Sequence, residues 1–194
     1  VSNGKYGIMK KNNQILWRPA GSSQLLHTRV LTVYEKASIS PEGEEKTFIS
    51  LSAPSWVIIV PSCKNEKGEE FFVLVEQWRH GSEAVFREFP GGVIDEGEKP
   101  EQAARRELAE ETGRNAKTIN LLGVLSPNPA IMENKVYIFS AELDNTKKAT
   151  HLDEDEFLNS IKLPVKEVIK NMGKPPYTHA IMNAAMFLYL RDKI

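Results

Sequence analysis

The chain has 194 residues, 41% apolar and 26% charged, with 25 basic and 26 acidic side chains and a formal net charge of −1. That length and balance fit one soluble globular domain, alone or with an extension, and argue against global disorder or a strongly basic nucleic-acid binder. The lone Cys63 excludes an internally stapled secreted scaffold, and no apolar run approaches the roughly 20 residues that span a bilayer.

In chain order, the first twenty-odd residues are polar and mixed, ending in Trp17-Arg18-Pro19, and suggest a weakly ordered arm or an isolated strand. Thr28–Ala37 turns β-like, Ser40–Glu44 is a turn, and Lys46–Leu51 resumes a strand, so an antiparallel hairpin is expected. Ser55–Pro61 is an almost continuous apolar strand. Further strands are expected at Glu70–Gln77 and Val85–Phe89, the latter running into Pro90-Gly91-Gly92. A helix follows over Pro100–Glu111, with Pro in its first turn and Gly113 as its stop. Strands return at Thr118–Leu125, Lys135–Leu143 and Phe157–Leu163. Helices at Val165–Asn171 and His179–Asp192 close the chain. The N-terminus has no apolar signal core, so a cytoplasmic location without membrane contact is the default expectation.

On the central helix, Glu107, Glu110 and Glu111 stand at i, i+3 and i+4, which puts three carboxylates on one face. Like charges at that spacing destabilise a helix. A hard divalent cation such as Mg²⁺ or Mn²⁺, which prefers oxygen ligands, would offset the repulsion.

Gly92, Glu98, Arg106-Glu107-Leu108, Glu110-Glu111 and Gly113 keep the spacing G-x5-E-x7-R-E-U-x-E-E-x-G-U, with U aliphatic. The pattern resembles the Nudix box, and only the last U departs, where the chain has Arg114. At average residue usage such a match arises by chance on the order of 10⁻⁷ per chain or less. The resemblance implies an α+β Nudix fold: a mixed β-sheet sandwiched between helices (α/β/α), with an N-terminal antiparallel β extension. Residues 1–54 would form the arm and hairpin, a dimerisation element, and residues 55–194 the hydrolase domain.

The same resemblance implies roles. Glu107, Glu110, Glu111 and the Gly91 carbonyl would hold Mg²⁺, with Mn²⁺ as a substitute. Gly92 allows the sharp turn. Arg106 would support the acids by pairing with Glu110 or with Glu98. Metals on carboxylates suit hydrolysis of a diphosphate, the reaction of this family on a nucleoside diphosphate linked to another moiety.

Outside the box the chain looks like the ADP-ribose pyrophosphatase branch. Val75-Glu76-Gln77-Trp78-Arg79 resembles its E-Q-aromatic-R strand, with Arg79 on substrate phosphates or ribose. Glu88-Phe89-Pro90-Gly91-Gly92 resembles its entry to the box. Pro129, fifteen residues past Arg114, marks its offset. The branch implies ADP-ribose cleavage to AMP and ribose 5-phosphate by a homodimer. GDP-mannose or UDP-sugar substrates, and a non-catalytic nucleotide-sugar sensor, remain open. An enzyme of capped RNA lacks the basic stripe it would need. Glu154 or Glu156, on an acidic loop, would supply a base for water. Trp17, in the polar arm, is the better candidate to stack on adenine, a contact worth roughly 1–3 kcal/mol. Trp56 is expected in the core. His27, His80, His151 and His179 show no metal spacing and are expected at the surface or as helix caps.

Overall fold

The computed structural model describes residues 15–144 and 157–194. Two units emerge: residues up to Ala53 with Asn128–Glu133, and Pro54–Pro127 with Asn134–Ile194.

The first unit is a three-stranded antiparallel sheet of β1 (Arg18–His27), β2 (Thr32–Ile39) and β3 (Glu45–Ser52), in that order. The expected hairpin is therefore a pair within a larger sheet. The arm expected to be loose or isolated carries a paired strand, because Arg18 to His27 finds backbone partners from Ile39 to Thr32. β2 starts later than expected. Thr28 Oγ1 accepts from the backbone N–H groups of Val30 and Leu31 and closes a turn there. The Asn128–Glu133 excursion is stitched to β3, with Leu51 N donating to Ile131 O at 2.6 Å and Glu133 N to Leu51 O at 3.3 Å. Glu133 also pairs with Lys36 and accepts from Ser50 Oγ at 3.0 Å.

The second unit is built on a mixed sheet of β4 (Trp56–Lys64), β5 (Glu70–Arg79), β6 (Ala84–Glu88), β7 (Ala116–Leu125) and β8 (Val136–Leu143), ordered β6-β5-β4-β8-β7. A sixth strand, β9 (Leu158–Pro164), pairs with β5. β4 and β8 run parallel; β4 and β5 are antiparallel.

β4 shows why its apolar run lacks alternation. Side chains point to opposite faces of a strand in turn, and both faces of this one are covered. Val57 and Ile59 pack with Ala103, Ala104 and Leu108 of α1 (Pro100–Thr112). Ile58 and Val60 pack with Val168 of α2 (Val165–Asn171) and with Met182, Ala185 and Met186 of α3 (Ala180–Arg191). The α/β/α sandwich implied by the sequence is what forms. Among the described residues, no helix is long and apolar enough to cross a membrane.

The start of α1 is set locally. Pro100 takes the first turn and Lys99 N donates to Gln102 Oε1 at 3.1 Å, as in a capping box. At its end Gly113 adopts φ 66°, a left-handed conformation in which other residues are strained, and its N–H reaches Ala109 O at 2.9 Å.

Candidate active site

α1 buries Ala103, Ala104, Glu107, Leu108, Glu111 and Thr112. Two carboxylates thus share an otherwise mostly apolar face, Glu107 only 8% and Glu111 only 2% exposed. Burying charge is costly unless something compensates it. Opposite them lies Pro90-Gly91-Gly92, held along β4 by Ile59 N to Pro90 O and Val57 N to Gly92 O, both 2.9 Å. Gly91 N donates to Glu111 Oε2 at 2.9 Å. The Glu107 carboxylate lies against Gly92, where any Cβ would run into it.

The two glycines therefore fail differently when substituted. A Cβ on Gly91 would strike the Val57 carbonyl, which is backbone and cannot swing aside. On Gly92 it meets the end of a flexible side chain. Gly91→Ala is expected to lower the melting temperature clearly, as overpacking costs about 1–3 kcal/mol. Gly92→Ala should melt close to wild type while losing activity by displacing Glu107. Thermal melts and turnover of both variants decide the matter.

Arg106 binds the loop to the helix. Its Nε and Nη2 meet Glu98 Oε1 and Oε2 at 3.1 and 3.0 Å. Nη1 meets Glu107 Oε1 at 2.8 Å and Glu110 Oε2 at 3.1 Å, and Nη2 donates to Val93 O at 3.0 Å. The pairings with Glu98 and with Glu110, alternatives in sequence, coexist, and Glu107 joins them. The Glu98 hydrogen bonds, and then those of Glu107 and Glu110, raise the guanidinium pKa above its ordinary value against desolvation. Arg106 holds Glu98 below the usual carboxylate range. Among the described residues, no three Asp, Glu, His or Cys side chains converge as a ready metal cage. Arg106 and the Gly91 N–H hold the box acids instead.

A cavity of ≈ 420 Å³ opens beside this turn, lined by Trp56, Arg79, Gly91, Gly92, Val93 and His179 among others. Arg79 grips Glu88 with both ends of its fork, Nε to Oε1 at 2.9 Å and Nη2 to Oε2 at 2.8 Å. Glu88 is 1% exposed, and His179 Nδ1 lies 2.8 Å from its Oε2. Burial pushes the Glu88 carboxyl up, but Arg79 and His179 together bring it down to about 2.

A depressed carboxylate stabilises the fold above its unfolded pKa, here about 4.5, and that contribution disappears as pH falls through about 2. The difference is on the order of 3 kcal/mol. Acid unfolding of Glu88→Gln should therefore show a shallower loss of stability between pH 4.5 and 2. A slope equal to wild type would contradict the pairing.

The structure thus brings Glu107, Glu110, Glu111, Arg106, Glu98, Gly91 and Gly92 together, with Arg79 and Glu88 on the same cavity side. Trp17 and Pro129 belong to the first unit. Trp17 meets Phe48 edge to face with ring centroids 5.2 Å apart, and Pro129 is exposed. Glu154 and Glu156 lie outside the described residues. Among the cavity residues not singled out as such by sequence are Trp56 and His179. Trp56 packs on the core as expected but also lines the cavity. His179 was expected at the surface or as a cap; it does stand at the N-cap position of α3, without a side-chain capping hydrogen bond, and its ring also lies against Glu88.

Comparison with known proteins bears on this arrangement. The NUDIX domain family profile matches residues 54–182. An ADP-ribose pyrophosphatase from Bacillus subtilis (strain 168) is 27% identical over 173 residues, covering 88% of this chain and 91% of that protein. A methanol dehydrogenase activator from Bacillus methanolicus is 27% identical over 175 residues, covering 89% and 92%. A solved structure described as that of an ADP compounds hydrolase superposes with a TM-score of 0.77 at 25% identity, covering 91% of this chain and 96% of that one.

Proposed function

The chain belongs to the NUDIX family, and from that premise we propose that it hydrolyses the diphosphate of an ADP-sugar, converting ADP-ribose to AMP and ribose 5-phosphate. The observation that carries this reading is the pair of buried carboxylates, Glu107 and Glu111, facing the Gly91-Gly92 turn at a cavity that also holds Arg79. The relatives named for ADP-ribose and ADP compounds support the substrate class.

The donor set fits a hard divalent cation, since it is all oxygen, carboxylate and carbonyl, and Glu107 and Glu111 are buried where charge is costly. Glu107, Glu111 and Glu110, with the Gly91 carbonyl, would hold Mg²⁺ or Mn²⁺. A bound cation there would neutralise phosphate charge and lower the pKa of a coordinated water. The residues of the chain do the rest. Arg106 keeps Glu107 and Glu110 oriented. Arg79, braced by Glu88, contacts the substrate. Glu154 or Glu156 takes the proton from the attacking water, and Trp17 with Pro129 belongs to nucleotide recognition in a homodimer.

A second reading has one support, the relative named as a dehydrogenase activator: engagement of a nucleotide sugar in service of another protein. One experiment separates the two. Purified protein is incubated with ADP-ribose, GDP-mannose and UDP-glucose in Mg²⁺ and in Mn²⁺, and products are resolved by anion exchange. AMP and ribose 5-phosphate are expected from ADP-ribose. Tight calorimetric binding without product would favour the second reading. Light scattering on the same sample should give twice the mass of one chain.

A further inference from the structure

β6 stands last in the sheet order, and a turn from far downstream is tied to it. Arg87 N donates to Pro176 O at 3.0 Å and Arg87 Nη1 to Tyr177 OH at 3.1 Å. Side chains alternate along a strand, so Arg87 and its neighbour Glu88 point to opposite faces. The same turn meets both. Two residues past Tyr177 the ring of His179 lies against Glu88, with Nδ1 2.8 Å from Oε2.

His179 is itself held in place. It stands at the N-cap position of α3, and backbone and amide contacts carry that helix start, since its side chain makes no capping hydrogen bond. His179 O accepts from Asn183 N at 3.1 Å and from Asn183 Nδ2 at 2.9 Å, and Nδ2 also reaches Tyr177 O at 3.0 Å. The ring is left to Glu88.

The contacts join at the Glu88 carboxylate. It is 1% exposed, and among the described residues it meets two side chains, Arg79 and His179. Oε2 takes Arg79 Nη2 at 2.8 Å and lies against His179 Nδ1 at the same distance. A carboxylate turns readily about its last torsion. Arg79, a long side chain 43% exposed, would not by itself stop that turning. The His179 ring, fixed at the helix start, blocks it by contact, whatever charge the ring carries.

We propose that His179 is a positioning residue, which holds the Glu88 carboxylate in the orientation that presents Arg79 to the substrate. The inference rests on the hydrolase reading above and names what aims the arginine of that site.

The test is a double-mutant cycle with ADP-ribose in Mg²⁺. His179→Ala should raise KM about fivefold, the scale of one lost polar contact, with kcat little changed. In an Arg79→Ala background the same change should move KM by less than about twofold, because the group it aims is gone. His179→Asn keeps an N–H near the position of Nδ1 and should recover most of the loss. A second readout needs no turnover: solvent exchange of the Arg79 Nε proton, followed by NMR, should quicken in His179→Ala and slow again in His179→Asn. Equal fold-changes of KM in the two backgrounds, or an Arg79 Nε proton indifferent to His179 in the folded variants, would overturn the inference alone. A protein that cleaves no nucleotide sugar, yet whose Arg79 proton answers to His179, would overturn the hydrolase reading and leave the positioning intact.

Discussion

Glu111→Gln is expected to lower kcat on ADP-ribose about a thousandfold, a barrier increase of roughly 4 kcal/mol. The change is nearly isosteric. Glu111 is buried at the turn, where its Oε2 accepts from Gly91 N at 2.9 Å, and an amide oxygen accepts that hydrogen bond equally well. What disappears is the negative charge that would hold a hard cation. The melting temperature should therefore stay close to wild type, or rise slightly, because a buried charge is removed. Steady-state turnover beside a thermal melt decides it. Activity within tenfold of wild type would remove Glu111 from the chemistry.

The second large effect is expected at Arg79. Truncating one partner of a buried ion pair leaves the other uncompensated and costs about 3–5 kcal/mol. Arg79 is itself 43% exposed and His179 remains beside Glu88, so a loss of roughly 2 kcal/mol is expected for Arg79→Ala. Substrate affinity should fall as well, with KM rising about 10- to 100-fold, since charge-assisted hydrogen bonds to phosphate are strong. The double variant Arg79→Ala with Glu88→Gln separates the two roles. It should regain stability, because no buried carboxylate is stranded, and it should not regain affinity. Recovery of both would mean that Arg79 serves the fold alone.

Residues close in sequence were the legible ones. The helix expected over Pro100–Glu111, which runs to Thr112, its glycine stop and the three-acid face follow from spacing within one segment, and the apolar run of Ser55–Pro61 announced the strand β4. β1 was not legible because nothing in Arg18 to His27 alternates. All ten residues are exposed, and the strand exists through backbone pairing with β2. The meeting of Glu88 with His179 joins positions 91 residues apart in the chain, and composition carries no trace of it. Its one sequence signal is a histidine where a helix start would favour a short polar side chain. Trp56 was read from its apolar neighbours, and their burial was right, but its position at the end of β4 also exposes it to the cavity.

The Asn128–Glu133 excursion has a consequence for engineering. The three-stranded sheet looks like a detachable cassette, since its strands are consecutive, yet β3, beyond its pairing with β2, also exchanges backbone hydrogen bonds at Leu51 with a segment far downstream. A truncation at Ala53 would strip Ile131 and Glu133 of their partners on Leu51 and Lys36 and leave a dangling loop. Grafting this sheet onto another scaffold, or trading it between homologues, requires transplanting both pieces of chain at once.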